Sequence, residues 1–148
     1  PELVDVSVPF VMKRFQLELL DALRVWGPVV AMMAVIFIVS STSNPPPTTA
    51  IGIPDVGAHA IAYSVLAMFV LRGFAAAQWD GVTIVTALAA LMLTVGYGIS
   101  DEWHQSFVPG RTSEMRDIVA DAIGAVIGVC GVLVWGIVLN KRNKKCRK

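Results

Sequence analysis

Charge is scarce in this sequence of 148 residues: Asp, Glu, Lys and Arg make up 16% of it, against 55% hydrophobic residues. A soluble domain needs far more polar surface than that, so one membrane domain is the expectation. Neither sign of charge is in excess. With 12 Lys and Arg against 11 Asp and Glu, the net charge of +1 gives no footprint for a nucleic-acid partner. Cysteine is almost absent too. Cys130 lies in an apolar run and Cys146 in a basic tail, a pair with no plausible disulfide geometry and no metal-ligand spacing. Internal repeats and low-complexity stretches are missing, and no nucleophile motif accompanies the polar residues.

What is present is a set of long uncharged runs. No charge falls between Arg24 and Asp55, and residues 25–40 form a first span, with a kink expected at Pro28. Pro45, Pro46 and Pro47 then remove backbone donors and end it. Residues 56–71, 81–100 and 118–140 supply three more spans, the last interrupted only by Asp121. At about 1.5 Å per residue each crosses a core roughly 30 Å thick with small tilts or snorkelling ends. A secretory signal peptide would precede soluble sequence, whereas here more spans follow. Residues 10–23 mix Lys13, Arg14, Glu18 and Asp21 with Phe10, Val11, Phe15, Leu19 and Leu23, the pattern of an interfacial amphipathic helix. The expected fold is all-α: a four-helix transmembrane bundle (residues 25–140) with an N-terminal interfacial segment (1–24) and a basic tail (141–148).

Four spans put both termini on one side. Lys13, Arg14, Arg24, Arg72, Lys141, Arg142, Lys144, Lys145, Arg147 and Lys148 fall there, leaving only Arg111 and Arg116 opposite. The positive-inside rule makes that side cytoplasmic, and the expected location is the inner (cytoplasmic) membrane, multi-pass, with both termini inside. The tail is most simply a topological anchor at an anionic leaflet. Asp55, Asp101, Glu102, Glu114, Asp117 and Asp121, with His59, His104, Gln105, Arg111 and Arg116, then gather at the outer face.

Within that set the spacing is informative. Asp55, His59 and Tyr63 recur every four residues and share one helix face. The plain reading is that Asp55 caps a helix start, His59 bonds across the bundle and Tyr63 packs. If the third helix continues past Ser100, Asp101, His104 and Gln105 share a face while Glu102 points elsewhere. Pro109-Gly110 turns the chain, and the fourth helix restarts near Thr112 or Ser113 with Glu114 and Asp117 at its positive end. Gly124 and Gly128 form a Gly-x-x-x-Gly step suited to close helix contact. Asp121, about 6 Å inside that helix, should face the interior and seek a partner in Arg111, His59 or another carboxyl. Asp55, His59, Asp101, Arg111, Asp117 and Asp121 are expected to line one groove.

These residues resemble the VanZ-like family of small membrane proteins, named for a teicoplanin-resistance protein. The resemblance covers about residues 29–128. It rests on Ser40-Ser41, on Asp55-x-x-x-His59-x-x-x-Tyr63, and above all on Tyr97-Gly98-Ile99-Ser100-Asp101-Glu102-Trp103-His104-Gln105 with Pro109-Gly110-Arg111, Asp117 and Gly124. Two positions depart from the family pattern: Val56 replaces a lysine, and Asp121 stands where asparagine is usual. The family name implies low-level resistance to a lipoglycopeptide that acts on lipid-linked wall precursors at the outer membrane face.

Three functions compete. The leading one is binding of a lipid or envelope-precursor headgroup by Asp55, His59, Tyr63, Asp101, Glu102, His104, Gln105, Arg111, Asp117 and Asp121. The second is an accessory or structural subunit of a larger membrane protein complex, with small-residue and apolar faces against a neighbour. The third is a membrane enzyme on a lipid-linked substrate, with carboxylates and histidines moving protons and Arg111 holding a phosphate. Catalysis is the weaker expectation without a nucleophile. Asp101 with His104 is too short a signature for zinc or magnesium, so neither metal nor cofactor is expected.

Overall fold

Hydrocarbon offers no partners to backbone N–H and C=O groups, so an apolar run must satisfy them within itself, and a helix does so. The computed structural model describes residues 7–43 and 55–146. Among these are four helices and no strand: α1 (Ser7–Ser40), α2 (Asp55–Phe74), α3 (Ile84–Gln105) and α4 (Met115–Cys146). All four are long and apolar enough to cross a membrane, over Arg14–Ser40, Asp55–Phe74, Ile84–Gln105 and Met115–Gly136. The chain is therefore of multi-pass membrane type. Residues 45–47, expected to end the first span, lie outside the described residues, as do Arg147 and Lys148 of the tail. Residues 10–23 lead into the first span without a break, in one helix from Ser7 to Ser40. Likewise α4 continues beyond Asn140 into the tail.

Local chemistry fixes the ends. Thr83 starts α3 with a reciprocal cap, its hydroxyl accepting from the Thr86 N–H while the Thr83 N–H donates to the Thr86 hydroxyl. Beyond α2, Ala76 and Ala77 take positive φ, and the Ala77 N–H reaches back to the Arg72 carbonyl at 2.9 Å, closing the helix in a Schellman-type turn. Pro28 sits inside α1 and cannot donate to the carbonyl four residues back, that of Arg24. Arg72, from the end of α2, donates to that carbonyl at 3.1 Å.

The core is narrow and largely aliphatic: Val29 and Ile36 of α1, Leu66, Ala67, Val70 and Leu71 of α2 with Tyr63 at their polar end, Ala87 and Ala90 of α3, Ala125 and Val129 of α4. The most extensive interface joins α2 to α4. There Gly124 and Gly128 lie against the backbone at Ala60 and Ser64, so close that a Cβ on either glycine would collide with the facing carbonyl oxygen. Large apolar residues cover the outside, among them Val85 and Met92 on α3 and Ile123, Ile127 and Val134 on α4. That outward apolar surface suits hydrocarbon, and the close glycine contact suits helices that associate by packing.

Candidate functional site

The antiparallel order brings the C-terminal ends of α1 and α3 beside the N-terminal ends of α2 and α4. On α3 a stripe at helical spacing, Ala87, Ala90, Thr94, Gly98, Asp101 and Gln105, faces inward. It is apolar at one end and polar at the other, so the carboxyl of Asp101 enters the bundle by the same periodicity that buries Ala90. Helix α4 sends Asp117 and Asp121 inward from its first two turns, and α2 brings His59 from its second.

The buried carboxylates are held mainly by neutral donors. Ser40 donates to Asp101 Oδ2 at 2.7 Å, and Gln105 Nε2 reaches both Asp101 Oδ2 at 3.0 Å and Glu102 Oε1 at 3.2 Å. The other Glu102 oxygen accepts the Glu114 N–H at 3.1 Å, so a carboxylate of α3 satisfies a backbone donor at the start of α4. His59 Nδ1 lies 3.0 Å from Asp121 Oδ1. Gly98 makes room for this arrangement: a Cβ there would sit 3.0 Å from Asp121 Oδ2 and 3.2 Å from the Tyr63 ring. Asp101, Glu102, Gln105, Asp117 and Asp121 are all buried.

Next to this layer a cavity of about 180 Å³ is lined by Asp55, His59, Gln105, Gly110, Arg111, Thr112, Glu114 and Asp117. Its rim is shaped by a tight turn in which the Arg111 N–H bonds the Val108 carbonyl at 3.1 Å, with Pro109 second and Gly110, at φ 81°, third. That is the pattern of a type II turn, and its third position favours glycine. Arg111 donates through Nη2 to the Val39 carbonyl at 2.7 Å and through Nε to the Thr42 carbonyl at 3.1 Å. It therefore ties down the chain where α1 ends, adding a second donor to the Val39 carbonyl, which also accepts the Thr42 N–H at 3.1 Å.

Several expectations from spacing need correction. Glu102 does not point elsewhere: it is 1% exposed and bonded to Gln105. Helix α3 packs against α1, α2 and α4, so its inward face is wider than one stripe, and Glu102 stands four residues from the inward Gly98. His104, like Asp101, does turn toward α1, with Nε2 3.0 Å from the Ser41 hydroxyl and its ring stacked on Phe37 at 4.6 Å. Asp101 and Asp121 do not line the cavity with Asp55, His59, Arg111 and Asp117. Asp121 lies a turn deeper than Asp117, and Asp101 is drawn toward Ser40. Tyr63 is buried, with its hydroxyl unbonded. Spacing along single helices did not assign roles to Ser40 and Ser41, which reach Asp101 and His104 only across the bundle; the serine pair after the first span was their one signal.

Among the described residues, five buried side-chain oxygens lack a hydrogen-bond partner in the chain: Tyr63 Oη, Thr94 Oγ1, Asp101 Oδ1, Asp117 Oδ1 and Asp121 Oδ2. Each such atom costs about 1–3 kcal/mol. Four of the five belong to the candidate set read from the sequence, so the cost is concentrated at this end of the bundle. Chemically, the site offers acceptors in excess, one imidazole and one arginine.

A family model described as VanZ/LLP1 matches residues 25–138, from the first span into the last turns of α4. No curated protein and no solved structure matches the chain.

Proposed function

The chain belongs to the VanZ/LLP1 family of membrane proteins, and we propose that its polar end binds the headgroup of a lipid or of a lipid-linked envelope precursor. The observation that carries this reading is the cavity of about 180 Å³ with Asp55, His59, Arg111, Glu114 and Asp117 in its wall, set at the end of four apolar helices. A ligand whose tail lies along the helices would bring its head to that depth. The volume decides how much of it enters. At about 30 Å³ per water, the cavity holds roughly six waters, well below the 300–1,000 Å³ of sites that enclose a whole drug-sized molecule. A headgroup fits, and an intact lipoglycopeptide does not.

Sign narrows the chemistry. Asp55, Asp101, Glu102, Glu114, Asp117 and Asp121 against Arg111 and Arg116 leave this end of the bundle a formal −4, and two of the Arg111 donors are already taken by the Val39 and Thr42 carbonyls. Amines and hydroxyls are favoured over a bare phosphate, with Arg111 left to meet one anionic group locally. The reading sets both termini on the cytoplasmic side and the cavity at the outer face. Its support is the distribution of ten basic residues against two.

The test is lipid retention. Purified wild-type chain, Asp55→Asn and Asp117→Asn, both changed in the cavity wall, are compared for lipid carried through stepwise delipidation, read by native mass spectrometry. Neither change removes apolar area, so both variants insert, and both retain less headgroup-bearing lipid than the wild type. Equal retention by all three, with native helicity, would instead make the cluster a structural element of an accessory subunit.

A further inference from the structure

Three helices deliver one potential metal ligand each to a single point: His59 from α2, Glu102 from α3 and Asp121 from α4, with their ligand atoms all within 4.8 Å of one another. We propose that these three side chains bind a divalent transition cation, Zn²⁺ or Mn²⁺. The site is separate in composition from the headgroup cavity, sharing only His59 with its wall, and needs no lipid.

The first argument is charge. Glu102 and Asp121 are each 1% exposed. Among the described residues, the only ion-pair partner of Asp121 is His59, and Glu102 has none. An imidazolium offsets one buried carboxylate and leaves the other, together with neighbouring Asp117 and Asp101. A divalent ion offsets two. The second argument is independent of that count. Asp121 Oδ2 is buried without a hydrogen-bond partner although Oδ1 of the same group is bonded to His59. That oxygen, beside Gly98, is a buried acceptor of a ligand residue that the chain itself leaves unsatisfied.

Geometry agrees. Metal bonds of about 2.1 Å from nitrogen and carboxylate oxygen put adjacent ligand atoms roughly 3.0–3.4 Å apart. His59 Nδ1 and Asp121 Oδ1 stand at 3.0 Å, already the edge of such a shell. Glu102 completes it after a short side-chain shift. Its carboxylate is held by Gln105 Nε2 on one oxygen and by the Glu114 N–H on the other, and each oxygen keeps a lone pair free. One nitrogen with carboxylate oxygens selects Zn²⁺ or Mn²⁺ over the all-oxygen preference of Ca²⁺ and Mg²⁺, and no thiolate is present to favour Cu⁺. On binding, the ion replaces the proton shared between His59 Nδ1 and Asp121 Oδ1, which leaves to solvent.

The experiment uses the full chain in detergent, stripped with a chelator and then given Zn²⁺, Mn²⁺ or Co²⁺ alone. The expected result is one Zn²⁺ per chain by elemental analysis after gel filtration, and a Co²⁺ visible-absorption spectrum that Zn²⁺ abolishes. His59→Gln, Glu102→Gln and Asp121→Asn should each weaken binding by more than about 100-fold, since even outer-shell partners are worth 10–100-fold. Asp80→Asn, in the exposed turn at the other end of the bundle, should bind as the wild type does. Wild-type chain that takes up no more ion than a detergent blank overturns the proposal, as does equal binding by the three ligand variants. If one variant fails to fold, the other two and the wild-type stoichiometry still decide. Because the metal is measured directly, failure here leaves the lipid-retention result intact, and the reverse also holds.

Discussion

Adding one methyl group at Gly124 should part the two most tightly joined helices. The Cβ of Gly124→Ala would stand 2.8 Å from the Ala60 carbonyl carbon and 2.9 Å from its Cα, against the carbonyl oxygen itself. Carbon pairs prefer about 3.5–4.0 Å, so α4 must move outward by about 1 Å, and the obstacle is backbone that cannot swing aside. Overpacking of this kind costs about 1–3 kcal/mol, and the better helix propensity of alanine returns up to about 1 kcal/mol. The net expectation is a destabilisation of about 1–2 kcal/mol. Gly131 is an internal control on the same helix, because nothing lies within 4 Å of a Cβ built there. Gly131→Ala should be neutral or mildly stabilising. Gly128→Ala meets Ser64 in the same way. Once the helices have separated for one methyl the second finds room, so the double variant should cost less than the two single changes added. Reversible unfolding of purified chain in mixed micelles, followed by far-ultraviolet dichroism across a denaturing-detergent titration, reads all four variants. Equal stability of Gly124→Ala and Gly131→Ala would refute the close approach of α2 and α4.

Arg72→Ala should cost about 0.5–1.5 kcal/mol in the same assay by orphaning the Arg24 carbonyl. Pro28→Ala supplies that carbonyl with its own helical donor, so the cost of Arg72→Ala should shrink in the Pro28→Ala background; an undiminished cost would show that Arg72 acts elsewhere. For orientation, an impermeant thiol reagent should label Cys146 only after cells are opened, because its neighbours Lys141, Arg142, Lys144 and Lys145 fall on the basic side. Labelling of Cys146 in intact cells would invert the topology and carry the acidic end inward with it.

The spans were legible because an uncharged run of this length suits little besides a bilayer, and α2 and α3 begin and end close to where charge and caps place them. Legible too was the gathering of Asp55, His59, Asp101, Asp117 and Asp121 at one end, since an up-and-down chain leaves their helix ends nowhere else to go. Period alone resolved less. It put Asp101, His104 and Gln105 on one face but misplaced Glu102, because the number of helices that α3 touches, and hence the width of its inward face, is a tertiary property. The bond from His59 to Asp121 joins residues 62 apart in sequence, and the bond from Arg72 to the Arg24 carbonyl joins residues 48 apart. The second has no local spacing to announce it, whereas His59 stood among the partners expected for Asp121. Gly98 shows the same limit: its role as the gap that admits Asp121 and Tyr63 exists only once three helices meet.

The disposition of the cations bears most on function. Arg111 donates to the Val39 and Thr42 carbonyls, and Arg116 pairs with Glu114 at 2.7 Å and lies 3.8 Å from Asp117 on the exposed side. Asp101, Glu102 and Asp121 thus receive serine, glutamine, backbone and imidazole donors, while no arginine pairs with them in the described residues. A bundle end selected only for cohesion would gain more by turning Arg111 toward a buried carboxylate, since removing water from an unpaired charge costs several kcal/mol. Leaving those carboxylates to neutral donors, with His59 the one cationic partner, keeps the interior poor in positive charge and rich in free lone pairs. Such a site gains most when a cationic group arrives from outside the chain, whether an ammonium of a headgroup in the cavity or an ion among His59, Glu102 and Asp121. The two are then coupled by charge: an ion held at the deeper point lowers the negative potential in the cavity and shifts its preference toward heads that carry an anionic group beside Arg111.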